Sequence, residues 1–148
     1  MATYTQLYYH IVFSTKNRAP VLVDQRREDL FRYICGVAKN KNSHLYRING
    51  VEDHVHMLTG IHPSIALADF VKDIKVASSQ WIIGQGLFPQ FSHWQDGYGA
   101  FTCSPSSKDK VIEYIKSQQE HHRKRTFAEE FREILDAAGI TYDERFLA

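Results

Sequence analysis

Cysteine is scarce in this chain: Cys35 and Cys103 are the only two in 148 residues, and they form no C-x-x-C spacing. That excludes a disulfide framework and a cysteine-based zinc knuckle, and it is the usage expected of a reducing, cytoplasmic setting. Long apolar runs are missing as well, so no membrane span is expected. The N-terminus has no charged start followed by an apolar stretch, so no secretory signal is expected either. Internal repeats, low-complexity tracts and Pro/Gly-rich linkers are absent, which favours one domain over residues 1–148. A large charge of one sign is also lacking, since the formal net charge is only +1.

Hydrophobic residues make up 43% of the chain and aromatics 13%, enough for a core without disulfides or a structural metal. The small net charge hides an uneven distribution. Residues 1–125 hold 16 Lys/Arg against 11 Asp/Glu, whereas residues 126–148 hold 2 against 6. An acidic tail therefore offsets a moderately basic body, which suits either a phosphate-binding face or an ordinary solvated helix face.

Residues Leu7 to Ser14 read as a strand, followed by the basic turn Thr15–Pro20. Asp24 is placed to cap a helix carrying Leu30, Phe31, Ile34, Val37 and Ala38 at helical spacing. Two short strands follow, near His44–Ile48 and His54–Gly60, with Asn49-Gly50 expected at the turn. Ser64 is expected to start a second helix, bearing Leu67, Phe70, Ile74, Ala77 and Trp81 on one face and stopped by Gly84 and Gly86. Strand-like pieces at Phe91–Gln95 and Ala100–Ser104 flank Gly97-Tyr98-Gly99. This order predicts an α+β fold, a ferredoxin-like β-α-β-β-α-β sandwich over 1–104 whose antiparallel sheet leaves one face open for a site. A third helix is expected over 105–123, with Ser106 and Asp109 spaced as a capping box. A fourth, capped by Thr126 and Glu129, opens the segment 124–148, whose tail is expected to pack back through Tyr142 and Phe146.

Two constellations carry chemistry. In His54-Val55-His56 on a strand, the two imidazoles share a face and can reach one metal ion, while Val55 and Met57 turn to the core. An ordinary half-exposed strand also carries such a pair. On the third helix, Tyr114 and Gln118 are four residues apart and His121 continues their stripe, a polar set ill suited to a core. It fits either a solvated face or a helix that presents polar groups to a site. Together the pieces match one chemistry: a metal that withdraws charge from a scissile phosphate, and a tyrosine that attacks phosphorus. Lys16 and Arg18 in the first turn, with Lys72 and Lys75 on the second helix, are candidate phosphate contacts. Trp94 and Tyr98 are candidates for stacking on unpaired bases, with core packing the alternative, above all for Trp94.

Four blocks in order carry a resemblance over nearly the whole chain. They are Tyr9-His10-Ile11-Val12-Phe13-Ser14-Thr15-Lys16-Asn17-Arg18, Asp53-His54-Val55-His56-Met57-Leu58, Trp94-Gln95-Asp96-Gly97-Tyr98-Gly99-Ala100-Phe101 and Tyr114-Ile115-Lys116-Ser117-Gln118-Gln119-Glu120-His121-His122-Arg123. In these the chain resembles the single-tyrosine HUH transposases of the smallest bacterial insertion sequences, the TnpA type. The resemblance implies Tyr114 as nucleophile, His54 and His56 as metal ligands with Gln118 as the third, and Mg²⁺ or Mn²⁺ as the metal. It implies a 5′-phosphotyrosine intermediate on single-stranded, hairpin-forming DNA ends. It also implies a homodimer in which one subunit's tyrosine completes its partner's site. His121, Arg123, Lys124 and Arg125 are further candidates for DNA contact. Alternatives are a domesticated palindrome-processing relative with the same chemistry, a non-catalytic single-stranded nucleic-acid-binding module, and a metal-dependent hydrolase. Asp53 is expected on the opposite face of its strand, leaving no carboxylate beside the two histidines.

Overall fold

The computed structural model describes residues 1–147; Ala148, the end of the expected tail, lies outside them. Strand β1 is Tyr8–Ser14, helix α1 Arg27–Asn40, β2 Leu45–Gly50, β3 His54–Thr59, α2 Leu67–Gln85 and β4 Gly99–Cys103. The strands lie in the order β2-β3-β1-β4 with every neighbouring pair antiparallel, the ferredoxin-like α+β arrangement expected. Side chains alternate across the sheet, so β1 and β3 feed two layers at once. Ile11, Phe13, Val55 and Met57 meet Leu30, Phe31, Ile34 and Ala38 of α1 and Phe70, Val71, Ile74 and Ile82 of α2 in the main core.

The other face is not open. It is covered by α3 (Lys108–Lys116), α4 (Gln118–Lys124) and α5 (Phe127–Ala137). Here Tyr8 and Leu58 pack on Ile115, with Val111, Ile112 and Tyr114 around them. The sheet is thus the middle of three layers, and the histidine face of β3 is an interior.

Several local expectations give way to competing interactions. Asn49-Gly50 ends β2 rather than turning, because Asn49 pairs with His56 and Gly50 with Val55; the chain reverses over residues 51–53. Gly50 is required there by close approach, since a Cβ would fall 2.5 Å from the His54 carbonyl oxygen. Asp24 lies in a 3₁₀ turn ahead of α1, whose N-cap is Arg26 without a side-chain bond. Helix α2 starts after Ala66, not at Ser64, whose hydroxyl bonds His62; it runs through Gly84 and stops at Gly86, whose φ of +60° suits glycine. The stretch Phe91–Gln95 makes only the single bridge Thr15–Trp94. Trp94 is core, not a base platform: it is 4% exposed, edge-on to Phe13, and donates its indole N–H to Ser78. Ser106 bonds Ser104 instead of forming a capping box with Asp109. The Thr126/Glu129 box is formed. In the tail, Phe146 stays exposed. No helix among the described residues is long and apolar enough to cross a membrane.

Candidate active site

The site is built on β3 and closed from the opposite layer. Alternation sends His54 and His56 away from the main core, and both are fully buried. Each ring is held at Nδ1. His54 Nδ1 donates to Asp53 Oδ1 at 2.7 Å, and His56 Nδ1 lies 2.9 Å from His10 Nε2 on neighbouring β1. Asp53 precedes the strand rather than belonging to it, so its carboxylate swings onto the histidine face, contrary to the expectation from strict alternation. Partners at Nδ1 leave both Nε2 atoms pointing inward, the orientation a metal ligand needs.

A carboxylate that sequence reasoning missed occupies the point where they converge. Glu130 of α5 is 2% exposed, and its Oε1 lies 2.8 Å from His56 Nε2 and 3.5 Å from His54 Nε2. Ligand-capable atoms of His54, His56 and Glu130 all lie within 4.8 Å of one another. Gln118 comes to the same place: its Oε1 is 3.0 Å from His54 Nε2, while its Nε2 is buried without a partner among the described residues. The signal for Glu130 was present in the sequence. Phe127, Glu130, Phe131 and Ile134 share one helical face, so a carboxylate sits inside an apolar stripe.

Tyr114 stands beside this cluster within the same chain. Its ring meets His56 edge-on with centroids 5.8 Å apart and stacks on His121 at 4.5 Å. Its hydroxyl is buried and has no hydrogen-bond partner among the described residues. The helix expected to carry both Tyr114 and Gln118 is broken at Ser117, which has φ −97° and ψ 19° and whose hydroxyl bonds back to the Glu113 carbonyl. The break is clamped by Asn49, whose amide N–H groups donate to the carbonyls of Ile115 and Lys116 and to Gln119.

Electrostatics follow from this enclosure. Burial, reinforced by neighbouring His56, pushes His10 down to about 3. Burial likewise takes His56 down to about 4 against the pull of Glu130. For His54 burial is outweighed by the hydrogen bonds to Asp53 and Glu130, which raise it to about 9. The burial of Glu130 is outweighed by the bonds from His54 and His56, which hold it well below the usual carboxylate range. Burial and then the charge of Glu130 push the Tyr114 phenol up. A cation at the convergence point would offset that charge, and two of the three buried side-chain polar atoms without a partner among the described residues, Tyr114 Oη and Gln118 Nε2, border the same space. The donor set of two imidazoles, a carboxylate and an amide fits a divalent ion.

The candidate DNA contacts are scattered. Lys16 and Arg18 lie in a 3₁₀ turn after β1, and Lys72 is exposed on α2. Lys75 is engaged internally, donating to the carbonyls of Gln95 and Gly97 at 2.7 and 2.8 Å. Lys124 is exposed, whereas Arg123 pairs with Glu120 and Arg125 with Glu133. Tyr98 is exposed.

Comparison with known proteins gives consistent results. The family described as "Transposase IS200 like" matches residues 3–118. The ISDra2 transposase TnpA of Deinococcus radiodurans is 29% identical over 122 residues, covering 78% of this chain and 86% of that protein. The transposase for insertion sequence element IS200 of Salmonella typhimurium is 28% identical over 120 residues, 78% of each chain. A solved structure from Deinococcus radiodurans R1, assigned as a transposase, superposes with a TM-score of 0.62 at 27% identity, covering 80% of this chain and 95% of that one. A REP-associated tyrosine transposase bound to a REP hairpin shares the fold, with a TM-score of 0.60 at 14% identity, covering 82% of this chain and 74% of that one.

Proposed function

This chain belongs to the IS200-like transposase family, and on that premise we propose that it cleaves and rejoins single-stranded DNA through a covalent bond to Tyr114. The observation that carries the proposal is the meeting of Tyr114 with the inward-facing His54 and His56 inside one chain. Tyr114 Oη attacks the scissile phosphorus, the new Tyr–O–P bond forms as the P–O3′ bond breaks, and the phenol proton ends on the departing 3′ oxygen. The 5′-phosphotyrosine conserves the energy of the broken bond. Attack by a 3′-hydroxyl then releases the tyrosine and seals the strand without ATP. His54 and His56 hold Mg²⁺ or Mn²⁺ in this reading, with Gln118 beside them. Bound there, the metal supplies charge withdrawal from the phosphate oxygens. Asp53 and His10 keep the two rings aimed, and Asn49 fixes the helix junction from which Tyr114 and Gln118 project.

The substrate in this reading is a hairpin-forming DNA end; a protein of the same fold is bound to a REP hairpin. Excision requires two strand cleavages and hence two tyrosines, so two chains act together as a homodimer. A domesticated palindrome-processing relative would use the same residues and differ only in the DNA it meets. A second reading gains from Glu130: with a carboxylate beside two histidines, a hydrolase would turn over without a protein–DNA bond.

The test incubates the protein with single strands from both flanks of its own gene, with Mn²⁺ or with EDTA, alongside Tyr114→Phe. A denaturing gel is expected to show a protein–DNA adduct that needs Mn²⁺ and disappears in the variant. Cleavage without adduct would move the assignment to hydrolysis. Tight metal-independent binding without cleavage would move it to a binding module.

A further inference from the structure

Resting on the metal-dependent reading above, we propose that Glu130, on the helix that follows the family-matched residues 3–118, is a metal ligand, completing a two-histidine, one-carboxylate site. Three observations converge on it. Both inward imidazole nitrogens aim at one Glu130 oxygen, at 2.8 and 3.5 Å, so a cation drawn to the histidines meets that oxygen. The carboxylate is almost fully enclosed, 2% exposed, and no Lys or Arg among the described residues is paired with it. A buried carboxylate needs positive charge or hydrogen-bond donors beside it, and a divalent cation held between it and the two imidazoles would supply that charge. Finally, the amide oxygen of Gln118, buried with its residue, lies 3.0 Å from His54 Nε2 and so faces the same space.

Ligand chemistry points the same way. Two imidazoles and an amide form a neutral set, whereas Mg²⁺ and Mn²⁺ are hard cations that favour charged oxygen. Glu130 supplies that oxygen, and Gln118 then serves as a neutral neighbour or fourth donor. Helix α5 is anchored so as to hold the carboxylate in place. Thr126 and Glu129 close a reciprocal cap at its start, and Phe127 stacks on His54 with ring centroids 4.4 Å apart.

Mn²⁺ binding to the whole protein, read by titration calorimetry and by the loss of the free Mn²⁺ electron paramagnetic resonance signal, tests the assignment without reference to activity. Glu130→Gln keeps the shape and one acceptor oxygen but removes the charge. It is expected to weaken Mn²⁺ at least about tenfold, with Glu130→Asp retaining part of the affinity. Unchanged thermal unfolding of Glu130→Gln with EDTA present separates this loss from misfolding. If Mn²⁺ binds wild type, is lost in His56→Ala and binds Glu130→Gln undiminished, Glu130 is only a cover and this assignment falls, leaving the transposase reading intact. Absence of any histidine-dependent Mn²⁺ binding in wild type would remove both.

Discussion

Single residues decide the proton balance of this site, and stability should report it. His10 and His56 are held neutral, at about 3 and about 4, against an unfolded value of 6.5. Between pH 6.5 and 4 the unfolded chain therefore binds protons that the folded chain refuses, and stability falls as pH falls. His54 runs the other way. Raised to about 9, it contributes stability that is present below 6.5 and lost as pH rises toward 9. Each net proton is worth about 1.4 kcal/mol per pH unit. Urea unfolding with EDTA present is thus expected to be most resistant near pH 6.5 and to weaken on both sides. In His10→Gln, which removes one of the two refusing imidazoles, the acid-side slope should be roughly halved; an unchanged slope would show that His10 is not held neutral. The histidine pair was legible in the sequence because a strand's two-residue period is rigid. The partners were not. Asp53 reaches the histidine face by lying just outside the strand, and His10 arrives through pairing of β1 with β3, a contact between distant residues.

Among the elements, the order of strands and helices was readable because hydrophobic spacing is local, and the sheet order followed from it. What failed were signals with two uses. Asn-Gly usually marks a turn, but here Asn49 is needed to clamp the α3–α4 junction, so the turn moves on by a few residues. The polar stripe from Tyr114 to His121 keeps helical spacing although the backbone breaks at Ser117, because spacing carries no information about a hydroxyl that competes for a carbonyl. The cap of α5 was legible, and it yields a prediction at this scale. Thr126→Ala removes the acceptor for the Glu129 N–H and one half of the reciprocal box, which should cost about 1 kcal/mol. Since Phe127 and Glu130 lie within the first turn and a half, the loss should appear locally. Hydrogen exchange is expected to accelerate across Phe127–Ala137 while β1 and β3 stay protected. Uniform acceleration would mean that α5 unfolds only with the whole domain.

For the whole molecule the central fact is enclosure. His54, His56, Gln118 and Glu130 are each at most 2% exposed, so under the proposed strand-cleavage reading a scissile phosphate would reach them only if part of the covering layer moved. That layer has two separable parts. Helices α3 and α4 carry Tyr114 and Gln118, and the acidic C-terminal segment carries Glu130. The resemblance implied that a partner's tyrosine completes each site. Within the single chain, Tyr114 lies against its own His56, and Asn49 of its own β2 holds the helix junction in place. If α5 moves and α3–α4 stay, each chain cuts with its own tyrosine. If α3–α4 swing out, tyrosines are exchanged. Mixing Tyr114→Phe with His56→Ala separates the two. Exchange would leave one intact site in each mixed dimer, restoring about a quarter of wild-type adduct at equal amounts. Own-chain use leaves no intact site at all. The clamp at Asn49 and the contact of Tyr114 with His56 favour the second outcome, so the mixture is expected to stay as inactive as either variant alone. Recovery of adduct would show that α3 and α4 leave this position before the DNA is cut.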